Sequence, residues 1–236
     1  MKDTRHLQLE YLPPKEIEAA MSKRPLIYIP LGTIEWHCYH LPVGFDAFSA
    51  HFLSLRAAAC TGGLVMPPFY IGTGGGHGHF PWTIMAKSED LKPMFETVLK
   101  RLPDFGVKQA VLVSGHFPDA QVEFVQTLSK TCSTKDFRID VAAPSLANDI
   151  LAQKGDHAAR FETGLMLGLA PEHVYLDRLP DLDTHPDNLE TRMTDPSHPL
   201  YGIYGPDPRE MPETLPDTLV TQMVDWIVQR VDSPAD

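Results

Sequence analysis

The sequence predicts an α/β layered domain, and three observations predict it. Short apolar runs rich in β-branched residues alternate along the chain with segments of helical period. A length of 236 residues with 43% hydrophobic content is enough to bury one large core. Polar groups able to do chemistry cluster just after the apolar runs, and in open α/β sheets ligands bind beyond the carboxyl ends of the strands.

The elements follow in order. "PPKEIEAAM" opens with prolines that suit a helix start, and "PLIYIPLG" is a β-rich run ending at Gly32. "AFSAHFLSLRAAAC", after Asp46, reads as a helix, and "GGLVMPPFYIG" as the next strand and its exit loop. Ser88 is placed to cap "EDLKPMFETVLKRL", with Pro93 confined to an early turn. "QAVLVSGH" is a buried strand, "DAQVEFVQTLSKTC" a helix, "FRIDVAAPS" strand-like, and "DHAARFETGLMLGLA" helical up to Pro171. From about residue 171 to 216 the chain is rich in proline, aspartate and histidine and reads as loop. An amphipathic helix, "LPDTLVTQMVDWIVQRV", closes a single domain spanning 1–236 with no internal repeat.

Composition narrows the function. A net charge of −11 argues against nucleic acid and anionic membranes, which need clustered Lys and Arg. No window is apolar for the ~20 residues a spanning helix requires, and the first twenty residues lack the pattern of a secretory signal. Three cysteines without paired spacing suggest neither a disulfide framework nor a cysteine zinc cage. A cytoplasmic enzyme is the expectation.

Three clusters stand at expected strand ends. In "IPLGTIEWHCYHLPVGFD", Glu35 and His37 point to one side if residues 35–37 stay extended, and Asp46 returns beyond a turn with both carboxylate oxygens to offer. His116 follows Gly115 where a buried strand stops, and the glycine permits close backbone approach. His157 and Glu162 lie five apart on an expected helix, a spacing that turns them away from one another. Each residue alone is most simply a surface group, but metal-competent groups converging on one sheet edge point to a metal site. His40 and His51 are better read as packing or surface residues, Cys38 as a small buried thiol, and Met85, Met94 and Met166 as core. Asp207, Glu210, Glu213 and Asp217 read as a solvated acidic face. "GTGGGHG" lacks the Lys-Ser/Thr of a P-loop and is weak as a nucleotide motif.

"LGTIEWHCYHLPVGFD", "GGGHGHFPWT", "FGVKQAVLVSGH" and "DHAARFETGLMLGLAPEHVYLDR", in this order, resemble the creatininase family of amidohydrolases. The resemblance implies a three-layer α/β/α sandwich with a mostly parallel sheet, two divalent ions per chain, hydrolysis of a small amide by a metal-bound hydroxide, and a homohexamer. It places metal ligands on Glu35, His37, Asp46 (bridging) and His116, and the catalytic histidine on His157. His79, Trp82 and Phe117 are the expected substrate contacts. Imidazole and carboxylate ligands suit Zn, Mn or Fe(II) equally.

Departures from the family pattern sharpen the expectation. Pro118 stands where creatinine hydrolases carry a ligand glutamate, and Glu162 is the expected replacement, with Asp119 the weaker choice. Gln153 stands where they carry a lid tryptophan, and Trp82 replaces a glycine, so a cyclic amide or formamide other than creatinine is expected. A lactone or peptide-bond hydrolase, or a homologue that binds without turnover, is the alternative.

Overall fold

The computed structural model describes residues 4–182 and 187–233. Strands β1 (Leu26–Gly32), β2 (Leu64–Val65), β3 (Phe69–Tyr70), β4 (Gln109–Ser114) and β5 (Arg138–Ala142) form one parallel sheet in the order β2-β1-β4-β5. β3 also pairs with β1, through Leu31 and Gly32. The run expected as a single strand over residues 62–72 is split at Pro67 and Pro68, since proline cannot donate to a sheet ladder.

The helices are α1 (Pro14–Lys23), α2 (Phe45–Thr61), α3 (Ser88–Arg101), α4 (Asp119–Cys132), α5 (Arg160–Leu169), α6 (Leu189–Thr194) and α7 (Leu215–Asp232). Alternation along the strands sorts them into two layers. Leu26 and Tyr28 of β1, with Val111 and Val113 of β4, pack against α2, α5 and α7. Ile27, Ile29 and Leu31, with Ala110 and Leu112, pack against α1, α3 and α4. The result is the three-layer sandwich. Both faces are covered, which is why β1 is buried at every position; each such large side chain contributes about 1.5–3 kcal/mol.

The outer edge of β5 is closed by side chains. Ser129 Oγ donates to the Ile139 carbonyl at 2.5 Å, Ile139 N donates to Ser133 Oγ at 3.1 Å, and Arg230 Nε donates to the Val141 carbonyl at 3.1 Å. Such edge groups would otherwise template pairing with another chain.

Several local expectations change. Ser88 is the first residue of α3 and its side chain caps nothing. Met94 is 40% exposed, on the outer face of that helix, whereas Met166 is fully buried. Asp207 is paired with Arg209 at 2.6 Å rather than solvated. The helix expected from Asp156 begins only at Arg160, because Ala158 takes a left-handed φ of 51°. Residues 171–216 carry α6 and short helical turns and bury Arg192, Leu200, Tyr201 and Ile203; residues 183–186 of that segment lie outside the described residues. Among the described residues no helix is long and apolar enough to cross a membrane.

Candidate metal centre

The centre stands on the carboxyl ends of β1 and β4, and two glycines let it form. A Cβ on Gly32 would lie 2.3 Å from the Asp46 Cβ, and one on Gly115 would lie 1.9 Å from the Asp46 carbonyl oxygen. Glycine at both positions therefore lets the first turn of α2 settle against the sheet. Asp46 Oδ2 accepts the Thr33 amide at 3.2 Å, which fixes the carboxylate there. Glu35 is tied through its amide to the Val43 carbonyl at 2.8 Å, closing the loop that carries His37.

Glu35, His37, Asp46, His116 and Glu162 are all buried and converge. His116 Nδ1 is 2.9 Å from Glu35 Oε2 and 3.3 Å from Asp46 Oδ2. His37 Nε2 is 3.2 Å from Asp46 Oδ1 and 3.3 Å from Glu162 Oε2. Two donor sets result, Glu35/Asp46/His116 and His37/Asp46/Glu162, each with ligand atoms within 4.8 Å of one another. Asp46 gives a different oxygen to each set. A third grouping, Glu35/His37/His157, overlaps both.

His157 precedes α5 instead of riding on it, which removes the helical spacing that would have turned it from Glu162. Its amide and carbonyl form a two-way bridge with Tyr204, at 2.9 and 3.0 Å. Its Nδ1 lies 3.8 Å from Glu35 Oε1. Glu162, in the first turn of α5, accepts the Ala158 amide through Oε2 at 2.5 Å.

One histidine was absent from the expected set. His77, in the glycine-rich "GTGGGHG", stacks on His157 with ring centroids 3.7 Å apart and puts Nδ1 3.4 Å from Glu35 Oε1. A lone histidine amid glycines carried no spacing signal that tied it to the other clusters. The glycines matter as geometry: Gly74 and Gly75 take positive φ and bend the loop over His116.

All four histidines are oriented in the same way. His37 Nδ1 donates to the Glu35 carbonyl at 3.0 Å, His116 Nε2 to that of Gly74 at 3.2 Å, His77 Nε2 to that of Gly202 at 3.0 Å, and His157 Nε2 to that of Trp36 at 2.8 Å. Each outer nitrogen thus holds a proton, and the inner nitrogen faces carboxylate oxygens. That is the arrangement of metal-ligating imidazoles. His37 Nε2 and Glu35 Oε2 are buried with no hydrogen bond of good geometry, as befits atoms whose partner is a cation. The donor set fits a divalent-metal centre.

The electrostatics agree. Burial pushes His37 and His116 down, but the surrounding carboxylates outweigh it: Glu162 and Asp46 hold His37 well above its usual value, and Asp46 and Glu35 hold His116 at about 10. Burial raises Glu35 and Glu162. Asp46 opposes its own burial with His37 and His116 and stays well below the usual carboxylate range. His157 is the opposite case: burial, then His37 and His77, hold it neutral, well below its usual value. Burial likewise lowers His77 to about 4. Burial and Glu162 push Asp156 up to about 7 against the α5 amides it accepts.

The expected substrate contacts divide. Phe117 lines the cavity in front of the centre, as do Pro118, Asp156 and Tyr204. His79 is exposed and outside it, and Trp82 is 78% exposed. The reason is the turn that follows His77, in which Phe80 N donates to His77 O and Trp82 takes a φ of 58°, swinging both rings to solvent. Asp119 is exposed on α4, outside both donor sets. Gln153 lies off the cavity wall, its amide on the Lys154 carbonyl. His40, buried against Thr163 Oγ1 at 2.8 Å, is a packing residue.

The chain is similar to known proteins over much of its length. The creatinine amidohydrolase of Pseudomonas putida is 26% identical over 221 residues, covering 84% of this chain and 81% of the relative. A mycofactocin precursor peptide peptidase of Mycobacterium ulcerans (strain Agy99) is 30% identical over 171 residues, covering 66% of this chain and 62% of the relative. A crystal structure of creatinine amidohydrolase superposes with a TM-score of 0.72 at 25% identity, covering 97% of this chain and 99% of the other. The family model for creatininase, described as creatinine amidohydrolase, matches residues 10–231. With that match spanning nearly its whole length, the chain belongs to the creatininase family of amidohydrolases.

Proposed function

We propose that this protein is a metal-dependent hydrolase of an amide other than creatinine. Glu35, Asp46 and His116 would hold one divalent ion and His37, Asp46 and Glu162 the other, of the Zn, Mn or Fe(II) class that imidazole and carboxylate suit. The sharing of Asp46 between the two sets is the observation that carries this reading. Such a pair of ions supplies an acidified water and a polarised substrate carbonyl.

The chain's own residues do the rest. His157 is neutral, so it first accepts a proton, through the Nδ1 that faces the cavity, and then delivers it to the departing nitrogen. The Trp36 carbonyl holds its ring in place, and His77 packs against its face. Creatinine is disfavoured because Gln153 supplies no aromatic cover and does not line the cavity. Hydrolysis of a peptide bond is the second reading, favoured by the peptidase among the relatives. Assembly as a homohexamer belongs to the same proposal, supported by the exposed rings of Trp82 and Tyr39 and the exposed Ile84, and sedimentation measures it.

The test is a screen of the Zn-, Mn- and Fe(II)-loaded protein against creatinine, small cyclic amides, formamides, lactones and short peptides. Amide turnover that His157→Ala abolishes while two ions stay bound is the expected result. Turnover undiminished by that substitution, or creatinine as the best substrate, overturns the reading.

A further inference from the structure

The cavity in front of the centre has a volume of about 490 Å³, within the range of sites that enclose drug-sized molecules and more than one small ring fills. Besides the histidines and carboxylates its lining is of two kinds. Phe117, Met193 and Tyr204 are apolar, while Ser145 and Asn148, on the turn that follows β5, are polar and uncharged. Asn148 Oδ1 accepts the Gly155 amide at 3.0 Å, so the orientation of its amide is set and the Nδ2 hydrogens remain as donors. Ser145 also lines the cavity. No Lys or Arg among the described residues lines the cavity, so a substrate carboxylate held on these walls would lose its water without gaining a counter-charge.

We infer that the site selects an elongated, uncharged amide: the scissile group at the centre, a second carbonyl on Ser145 Oγ and Asn148 Nδ2, and an apolar group against Phe117, Met193 and Tyr204. This rests on the amide-hydrolase reading and specifies its substrate class. Tyr204 is the determinant that joins the two ends, because its backbone is bridged to His157 in both directions, at 2.9 and 3.0 Å. The ring that receives the apolar group is thereby held in register with the residue that moves the proton. Met193 sits on α6 of the same segment, whose Gly202 carbonyl holds His77.

Three probes test it: N-acetyl-L-phenylalaninamide, the corresponding free acid, and acetamide. The loaded parent should favour the first over each of the others by at least tenfold in kcat/KM, mainly through KM. Tyr204→Ala and Asn148→Leu should each reduce that preference below about threefold, and Tyr204→Phe should keep it, since the ring and not the hydroxyl makes the contact. Metal content and Tm, measured on every variant, establish that each is folded. Acetamide or the free acid used as well as the amide by the parent, or a preference that survives both Tyr204→Ala and Asn148→Leu, overturns the inference. If the parent cleaves none of the three, the hydrolase reading is what fails, and calorimetry decides the subsites separately: binding of N-acetyl-L-phenylalaninamide at least tenfold tighter than acetamide supports them, and equal binding overturns them.

Discussion

Glu162→Gln isolates the residue expected to replace the glutamate lost at Pro118. Glu162 is 2% exposed, its Oε2 lies 3.3 Å from His37 Nε2, and it accepts the Ala158 amide. Glutamine keeps the length, and its Oε1 can still accept that amide, so the first turn of α5 survives. What disappears is one of the two carboxylates of the His37 set, leaving only the shared Asp46. Loss of a residue that merely supports a ligand costs ~10–100-fold in metal affinity, so loss of a charged ligand should reach ~100-fold or more. With free metal in excess, a hundredfold weaker site gives up about 2.7 kcal/mol of metal-linked stabilisation. For a chain of this size that is roughly 5–11 °C of Tm, at about 2–4 °C per kcal/mol. The metal-free variant should itself melt below the metal-free parent, because His37, held protonated by Glu162 and Asp46, loses one of its two buried counter-charges, so the metal term is read from the metal-induced rise in Tm and not from the absolute Tm. Thermal denaturation with and without excess Zn or Mn, and elemental analysis after gel filtration, read both effects. Two ions retained together with an undiminished metal-induced rise in Tm would refute the reasoning.

The other predictions address neighbouring groups. Asp46→Ala removes an oxygen from both sets and should release both ions; full occupancy by elemental analysis would end the bridging claim. His77→Ala should keep both ions, since His77 is in neither set, yet slow turnover by ~10–100-fold by freeing the His157 ring, because misplacement of ~1 Å costs on that order; an unchanged kcat would show the stack to be incidental. In the metal-free protein His116 titrates at about 10, above the ~6.5 of an unfolded histidine. Its contribution is therefore complete below pH ~6.5 and is lost as pH rises through about 10. Metal-free Tm should fall across that window while the loaded form, whose ligand nitrogens carry no proton, shows a flatter slope; parallel profiles would contradict the assignment.

The layers were legible because their cause is local. Alternation in "PLIYIPLG" and "QAVLVSGH", with helical periods between, dictates a parallel sheet covered on both faces, and β1 is buried throughout as that requires. Glu35, His37, Asp46 and His116 were legible for a related reason, since strand ends and the turn after them are fixed by the same pattern. Two things were not. The left-handed backbone at Cys38, Trp82 and Ala158 carries no signal in these non-glycine residues, and without it neither the outward ring of Trp82 nor the release of His157 from α5 could be read. His77 likewise reaches the centre only because the carbonyl of Gly202, 125 residues away, holds its outer nitrogen.

That long-range bond separates the part of the site that the sheet and its helices assemble from the part that the segment after α5 adds. The carboxylates and two of the histidines hang from β1, β4, α2 and α5 and need only the sheet to assemble. The outer wall is supplied by the segment expected as loop: Trp36 Nε1 donates to the Tyr201 carbonyl at 2.8 Å, His77 to Gly202, and His157 pairs with Tyr204. Arg192 locks this strap to itself, with Asp187 at 2.6 and 2.8 Å and the Gly205 carbonyl at 2.7 Å. Met193 and Tyr204 ride on it into the cavity. Changes in the strap can reshape the pocket while the sheet continues to present the same donor atoms, since the main-chain carbonyls that orient the histidines make no demand on side-chain identity. The candidate metal ligands therefore follow from the periodic elements, whereas Met193 and Tyr204 reach the cavity from a segment whose spacing follows no period.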